Sequence, residues 1–139
     1  MTNSRAKGAH GEREAAKYLR KLGFEAERNG RNGYGSDDLM VPGLPNVHIE
    51  VKFGYPSSKI DIGTKGLRDA WEQADGWCAD RVYKNGDKGV PITKIPVVLW
   101  KPPRRPWRLT WLDTCGLVTT TGDGEIKTKL LELDGTSGS

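Results

Sequence analysis

Val47-His48-Ile49-Glu50-Val51-Lys52-Phe53 is the stretch from which the rest of this chain is read. Its alternation is that of a strand with one apolar face: Val47, Ile49 and Val51 point one way, and His48, Glu50 and Lys52 the other. Glu50 and Lys52 are therefore same-face neighbours, roughly 7 Å apart along the strand. Taken alone they are ordinary, because a Glu–Lys pair on a half-exposed strand contributes little stability. The flanking sequence gives them chemical interest.

Upstream, Asp37-Asp38-Leu39-Met40-Val41 reads as the entry to a preceding strand. Pro42-Gly43 is turn chemistry and Pro45-Asn46 extends the connection, so the two strands are expected to form a hairpin. Asp38 then comes beside Glu50. Two carboxylates on adjacent strands make a compact oxygen site of the kind a hard cation such as Mg²⁺ occupies, with water and phosphate oxygens completing its shell. Carboxylates so close repel each other unless a metal or a proton settles them. Lys52 places an ammonium where it can orient an attacking water and stabilise charge building on a phosphate. Acid, acid and lysine together suit phosphodiester hydrolysis; the plainer alternative is an exposed hairpin carrying surface charge.

Further out, residues 4–22 are predicted to be helical, with Ala9, Ala16, Leu19 and Leu22 at helical spacing and Gly23 as the stop. Glu12 falls on that apolar stripe, where a carboxylate is costly unless it is paired, hydrogen-bonded or metal-bound. The alternative is that it stands at the end of the stripe and snorkels out beside Arg13 or Lys7. Phe24 to Arg28 reads as a short strand, and residues 29–36, NGRNGYGS, as a glycine-rich loop. Downstream, the loop YPSSKIDIGTKG leads to a second helix from about Leu67 to Val82, with Leu67, Trp71, Ala74 and Cys78 as its stripe. A turn at NGDKG precedes Ile95 to Trp100, whose hairpin partner is expected at Trp107 to Leu112, and the sequence after about Thr119 is polar. The expected order is α-β-β-β-α-β-β, an α/β arrangement on a mixed sheet.

At 139 residues, 35% hydrophobic and 29% charged, the chain has the size of one globular domain and is not polar enough for disorder. No apolar run approaches the ~20 residues of a membrane span, and the opening residues lack a hydrophobic signal region, so a soluble cytoplasmic protein is expected. Two cysteines and two histidines are too few for a disulfide framework or a structural zinc site. There is no G-x-S-x-G elbow and no phosphate-binding G-x-x-x-x-G-K-[ST] loop, which argues against serine-nucleophile chemistry and a nucleotide cofactor. The 22 basic and 18 acidic residues leave a net charge of +4. The basic residues cluster at Arg5, Lys7, Arg13, Lys17, Arg20 and Lys21, and again at Lys101, Arg104, Arg105 and Arg108. These are either two solvated surfaces or a footprint for a polyanion.

Asp38…Glu50-Val51-Lys52 resembles the PD-(D/E)XK nuclease motif. Lys7-Gly8-Ala9-His10-Gly11-Glu12-Arg13, then Leu19, Gly23-Phe24, Arg28, the glycine-rich loop and Glu72-Gln73-Ala74, look in order and spacing like archaeal-type Holliday junction resolvases. The resemblance spans about residues 5–80. It implies a restriction-endonuclease-like core, a central mixed β-sheet flanked by α-helices, within the single nuclease domain that the length leads one to expect over residues 1–139, where polar composition predicts a flexible tail from about 134. It implies that Glu12, Asp38, Glu50, Lys52 and Gln73 are catalytic, with Asp38 and Glu50 as primary metal ligands. Glu12 would reach the metal shell through water, Lys52 would position the nucleophilic water, and Gln73 would support the site from the second helix. The implied cofactor is Mg²⁺, with Mn²⁺ able to substitute. The implied partner is branched DNA, a homodimer nicking symmetric strands of a four-way junction.

Lys7, Arg13, Arg28, Arg31 and Asn32 would grip phosphates, contacts that set affinity and salt dependence without carrying sequence information. Two departures from the family pattern stand out. Asp37 takes the place of the proline before the first acid, which leaves Asp37 and Asp38 as competing ligands, with Leu39-Met40-Val41 favouring Asp38. Asn32-Gly33 stands where the family carries a functional serine before glycine. The long basic stretch from Arg81 to Arg108 fits a divergent relative, phage-borne and acting in a prokaryotic or phage-infected cell. Two alternatives share these residues: another PD-(D/E)XK nuclease cutting duplex or flap DNA, and a catalytically silent DNA-binding relative.

Overall fold

The computed structural model describes residues 4–28, 39–85 and 94–135. It begins with helix α1, Ser4–Lys21, whose inner face carries Ala15, Ala16, Tyr18 and Leu19, buried together with Leu22 just past its end. α1 ends as its sequence requires: Gly23 adopts φ 103°, its N–H bonds the Arg20 carbonyl, and the Phe24 N–H reaches back to the Leu19 carbonyl. That pair of bonds satisfies carbonyls the helix end would otherwise leave orphaned, and glycine tolerates the left-handed backbone they need.

Two short strands follow, β1 (Glu27–Arg28) and β2 (Leu39–Met40), paired antiparallel with each other. β3 (Val47–Phe53) begins the main sheet, and helix α2 (Lys65–Asn85) crosses over to β4 (Ile95–Lys101), which lies parallel to β3. β5 (Arg108–Asp113) and β6 (Gly116–Thr121) continue antiparallel, giving the strand order β3-β4-β5-β6, and helix α3 (Asp123–Asp134) follows. The architecture is α/β, a mixed sheet with helices on both faces.

The sheet's two faces bury different sets. Val47, Ile49, Val97, Leu99, Leu109 and Trp111 pack with the inner faces of α1 and α3. Val98 and Trp100 pack on the opposite face with Ile60, Leu67 and Ala70. On that second face the Trp100 Nε1–H donates to Thr110 Oγ1 at 2.8 Å, and the Thr110 and Thr119 hydroxyls lie 2.7 Å apart. The buried Trp100 and Thr110 and the partly buried Thr119, on three neighbouring strands, thus satisfy one another.

Two sequence expectations need correction. β2 and β3 do not form a hairpin: β2 pairs with β1, and β3 pairs with β4 among the described residues. The connection contains two successive turns, closed by Leu44 N–H to the Val41 carbonyl at 2.9 Å and Val47 N–H to the Leu44 carbonyl at 3.3 Å. Each has proline at its second position, and two reversals in a row do not return the chain alongside itself. Between them Leu44 is driven into the core, 2% exposed.

The expected order also lacks β6 and α3. Despite its polar composition, α3 sets Ile126 and Leu130, four residues apart, fully into the core. Asp123 and Glu125 in its first turn complement the helix dipole, and Gly135 at φ 85° closes its end. Asp134 is buried and its Oδ1 accepts the Asn46 N–H at 2.7 Å, tying α3 to the turn that leads into β3. Of the loose tail that the sequence predicts from about residue 134, Asp134 and Gly135 belong to the end of α3, and residues 136–139 lie outside the described residues.

Candidate functional site

β3 is an edge strand of the four-stranded sheet among the described residues, and it positions the site. Its apolar face is covered by α1 so closely that a Cβ on Gly11 would stand 2.8 Å from Phe53 Cβ and 3.8 Å from Val51 Cγ1. Strand alternation therefore sends Glu50 and Lys52 to the other face, the one α2 covers. There the register sets Glu50 beside Val98 and Lys52 beside Trp100.

Both charged side chains are largely enclosed, Glu50 at 20% exposure and Lys52 at 21%, with Lys52 Nζ 3.9 Å from Glu50 Oε2. The other carboxylate oxygen, Oε1, lies 3.9 Å from Nε2 of His48. Neither contact is short enough for a direct hydrogen bond, so neither removes the lone pairs a cation would use. A half-buried carboxylate with oxygens available is the donor chemistry a hard cation takes, and Mg²⁺ binds through as few as one or two carboxylates. The described residues supply Glu50 to such a shell; among them no three His, Cys, Asp or Glu side chains cluster as a metal cage. Asp37 and Asp38 lie outside the described residues.

Lys52 opens into a groove of about 410 Å³ between the end of β3 and the start of α2, lined also by Tyr55, Lys59, Asp69 and Gln73. The structure thus brings Lys52 and Gln73 to one cavity, although they are 21 residues apart in sequence. The outer wall is the loop after β3, held by Lys59 N–H to the Pro56 carbonyl at 2.8 Å and by buried Ile60. Gly66 on α2 sits against the Lys59 carbonyl oxygen so tightly that a Cβ there would collide with it. Thr64 starts α2, its Oγ1 accepting the Leu67 N–H at 3.2 Å as an N-cap hydroxyl does.

Glu12 stands on the α1 side of β3 and is 18% exposed. Its Oε1 accepts a hydrogen bond from Arg28 Nε at 3.0 Å. The carboxylate on the apolar stripe is therefore paired, with Arg28 of β1 supplying a cation. Arg28, read from the sequence as a phosphate contact, has its Nε committed to that pair. Arg13 is exposed on α1. Lys7 lies within α1 but its side chain is outside the described set, as are Arg31 and Asn32 altogether.

Sequence reading passed over His48, Trp77, Lys59 and Asp69. His48 was visible as the third member of the polar face of β3, and its imidazole stacks flat on Trp77 of α2 with ring centroids 4.0 Å apart. Lys59 and Asp69 carried no signal, because only the folding of the loop onto α2 puts them in the groove.

No family model matches this chain, and no curated protein matches it by sequence. Among solved structures it is similar to Archaeoglobus fulgidus Hjc, a Holliday junction resolvase from an archaeal hyperthermophile. The identity is 22%, the match covers 82% of this chain and 88% of that one, and the TM-score is 0.43. A likeness of that degree assigns no function.

Proposed function

We propose that this protein is a Mg²⁺-dependent DNA endonuclease with a restriction-endonuclease-like core, cutting four-way junctions as a homodimer, with residues 1–139 forming one nuclease domain. The observation that carries this reading is the pairing of Glu50 and Lys52 on one face of an edge strand, 3.9 Å apart, with Lys52 opening on a groove that also holds Gln73. A carboxylate and an ammonium enclosed together, beside a space large enough for a ligand, differ from a solvated surface pair.

Glu50 would hold the cation together with Asp38. Glu12, standing on the α1 side of the edge strand, would reach the same ion through water, its carboxylate oriented by Arg28. When bound, the cation supplies an activated water and screens the negative charge of the phosphate. The Lys52 ammonium would orient the attacking water and offset charge developing on the phosphate oxygens, an interaction strengthened by its low exposure. Gln73, a neutral donor and acceptor, would hold that water or a phosphate oxygen in line. Mn²⁺ would substitute for Mg²⁺, since oxygen ligands suit both ions. Lys7, Arg13, Arg31 and Asn32 would contribute phosphate contacts that position the DNA arms. No helix among the described residues is long and apolar enough to cross a membrane.

The test is a cleavage assay on a four-way junction labelled on each arm in turn, with linear duplex and flap controls, in Mg²⁺, Mn²⁺ and Ca²⁺. Paired nicks at symmetric positions of the junction, dependent on Mg²⁺ and lost in Glu50→Gln and Asp38→Asn, are expected. Cutting of duplex or flap DNA alone keeps the chemistry and changes the substrate. Tight junction binding with no cutting in any metal leaves a DNA-binding protein.

A further inference from the structure

We infer that His48 is a positioning residue for Glu50, orienting the carboxylate that holds the metal; the inference rests on the metal-nuclease reading above. His48 and Glu50 share one face of β3 because they are two residues apart on a strand. The imidazole is 3% exposed and lies parallel to the Trp77 indole, with 4.0 Å between centroids and 4° between planes. A ring pressed flat on another and buried to this degree has little freedom to swing. Its Nε2 faces Glu50 Oε1 at 3.9 Å, while Lys52 faces Oε2 at the same distance, so the carboxylate is bracketed by a nitrogen on each oxygen.

Two brackets of different character divide the work. Lys52 sits on a flexible stem and opens to the groove, so its ammonium is available to water and phosphate. His48 is stacked on Trp77 and removed from solvent, which suits it to bias the Glu50 rotamer without touching substrate. A dipole held in a poorly solvated site acts on a neighbouring charge more strongly than it would in water. Groups that orient a metal-ligating side chain typically govern metal affinity by roughly 10- to 100-fold.

The experiment compares His48→Phe, which keeps a flat ring on Trp77 and removes the nitrogens, with His48→Gln, which keeps a polar N–H. Mn²⁺ affinity is measured by calorimetry, the environment of the bound ion by electron paramagnetic resonance, and junction cleavage under single turnover against metal concentration. The expected result for H48F is a melting temperature near wild type with Mn²⁺ affinity roughly 10- to 100-fold weaker. Its cleavage rate should recover towards wild type at saturating metal. H48Q should lie between the two. Wild-type Mn²⁺ affinity in H48F, or H48Q binding no better than H48F, overturns the inference. Should H48F fail to fold, H48Q decides alone: weaker metal binding at an unchanged melting temperature supports the role, and equal binding rejects it. If the wild-type protein itself binds no Mn²⁺, the metal-nuclease reading fails and His48 falls with it. That outcome differs from one in which wild type binds and the variants bind equally well.

Discussion

Gly11 on α1 and Phe53 at the end of β3 touch backbone to side chain, with room for no atom between them: a Cβ on Gly11 would be 2.8 Å from Phe53 Cβ. This contact seats the helix carrying Glu12 on the strand carrying Glu50 and Lys52. Gly8, one turn earlier, has nothing within 4 Å of where its Cβ would be. The two glycines should therefore respond to alanine in opposite directions. G8A should stabilise by up to about 1 kcal/mol through helix propensity. G11A should lose roughly 1–3 kcal/mol to overpacking, more than that propensity returns. Urea unfolding of both variants beside wild type checks the signs.

Tyr18 donates its hydroxyl hydrogen bond to Asp123 at 2.8 Å, joining α1 to the start of α3. Burial, then the hydrogen bond and the charge of Asp123, push the Tyr18 hydroxyl well above its ordinary pKa. The folded state thus holds this proton more tightly than the unfolded chain. The resulting stability is complete below the unfolded value of about 10 and is lost as pH climbs above it towards the folded value. Wild-type melting temperature should consequently fall above pH 10 more steeply than that of Tyr18→Phe. At neutral pH the variant should be less stable by about 1 kcal/mol, the net worth of one hydrogen bond.

Leu130 is fully buried on α3, against the face of the sheet that α1 also covers. Leu130→Ala should cost roughly 2–5 kcal/mol, the range for deleting a buried aliphatic side chain. An effect below 1 kcal/mol in denaturant titration would mean that α3 is a surface appendage rather than part of the core.

Glu50→Gln keeps shape and removes charge, so it should abolish Mn²⁺ binding and lower cleavage by about 10³-fold or more with little change in melting temperature. Lys52→Ala should leave metal binding nearly intact and lower the single-turnover rate by roughly 10²- to 10³-fold, as loss of one preorganised charge contact does. A Lys52→Ala protein with a wild-type rate would remove that residue from the chemistry. Chelation with EDTA should stop cleavage reversibly, with activity returning on added Mg²⁺.

The sequence by itself determined what depends on neighbours along the chain. The period-two pattern of Val47 to Phe53 set which side chains share a face, and so put Glu50 beside Lys52 and His48 before any partner strand was known. The apolar spacing of Ala16 and Leu19 with Gly23 behind them marked α1 and its end, because a helix and its cap are local structures. Composition misled where burial is sparse: α3 buries only Ile126, Leu130 and Asp134, with Leu131 and Leu133 partly covered, and so few apolar residues among polar neighbours give a faint period.

Tertiary structure alone decided how distant segments meet. Pro42-Gly43 looked like a hairpin turn, yet β3 found β4 as its parallel neighbour, since strand pairing follows the packing of the whole sheet rather than the nearest turn. Glu12 acquired Arg28, and Lys52 acquired a groove shared with Gln73 and Lys59, through folding of segments the sequence keeps apart. Periodicity records which way a side chain points; it holds no information about what will be waiting there.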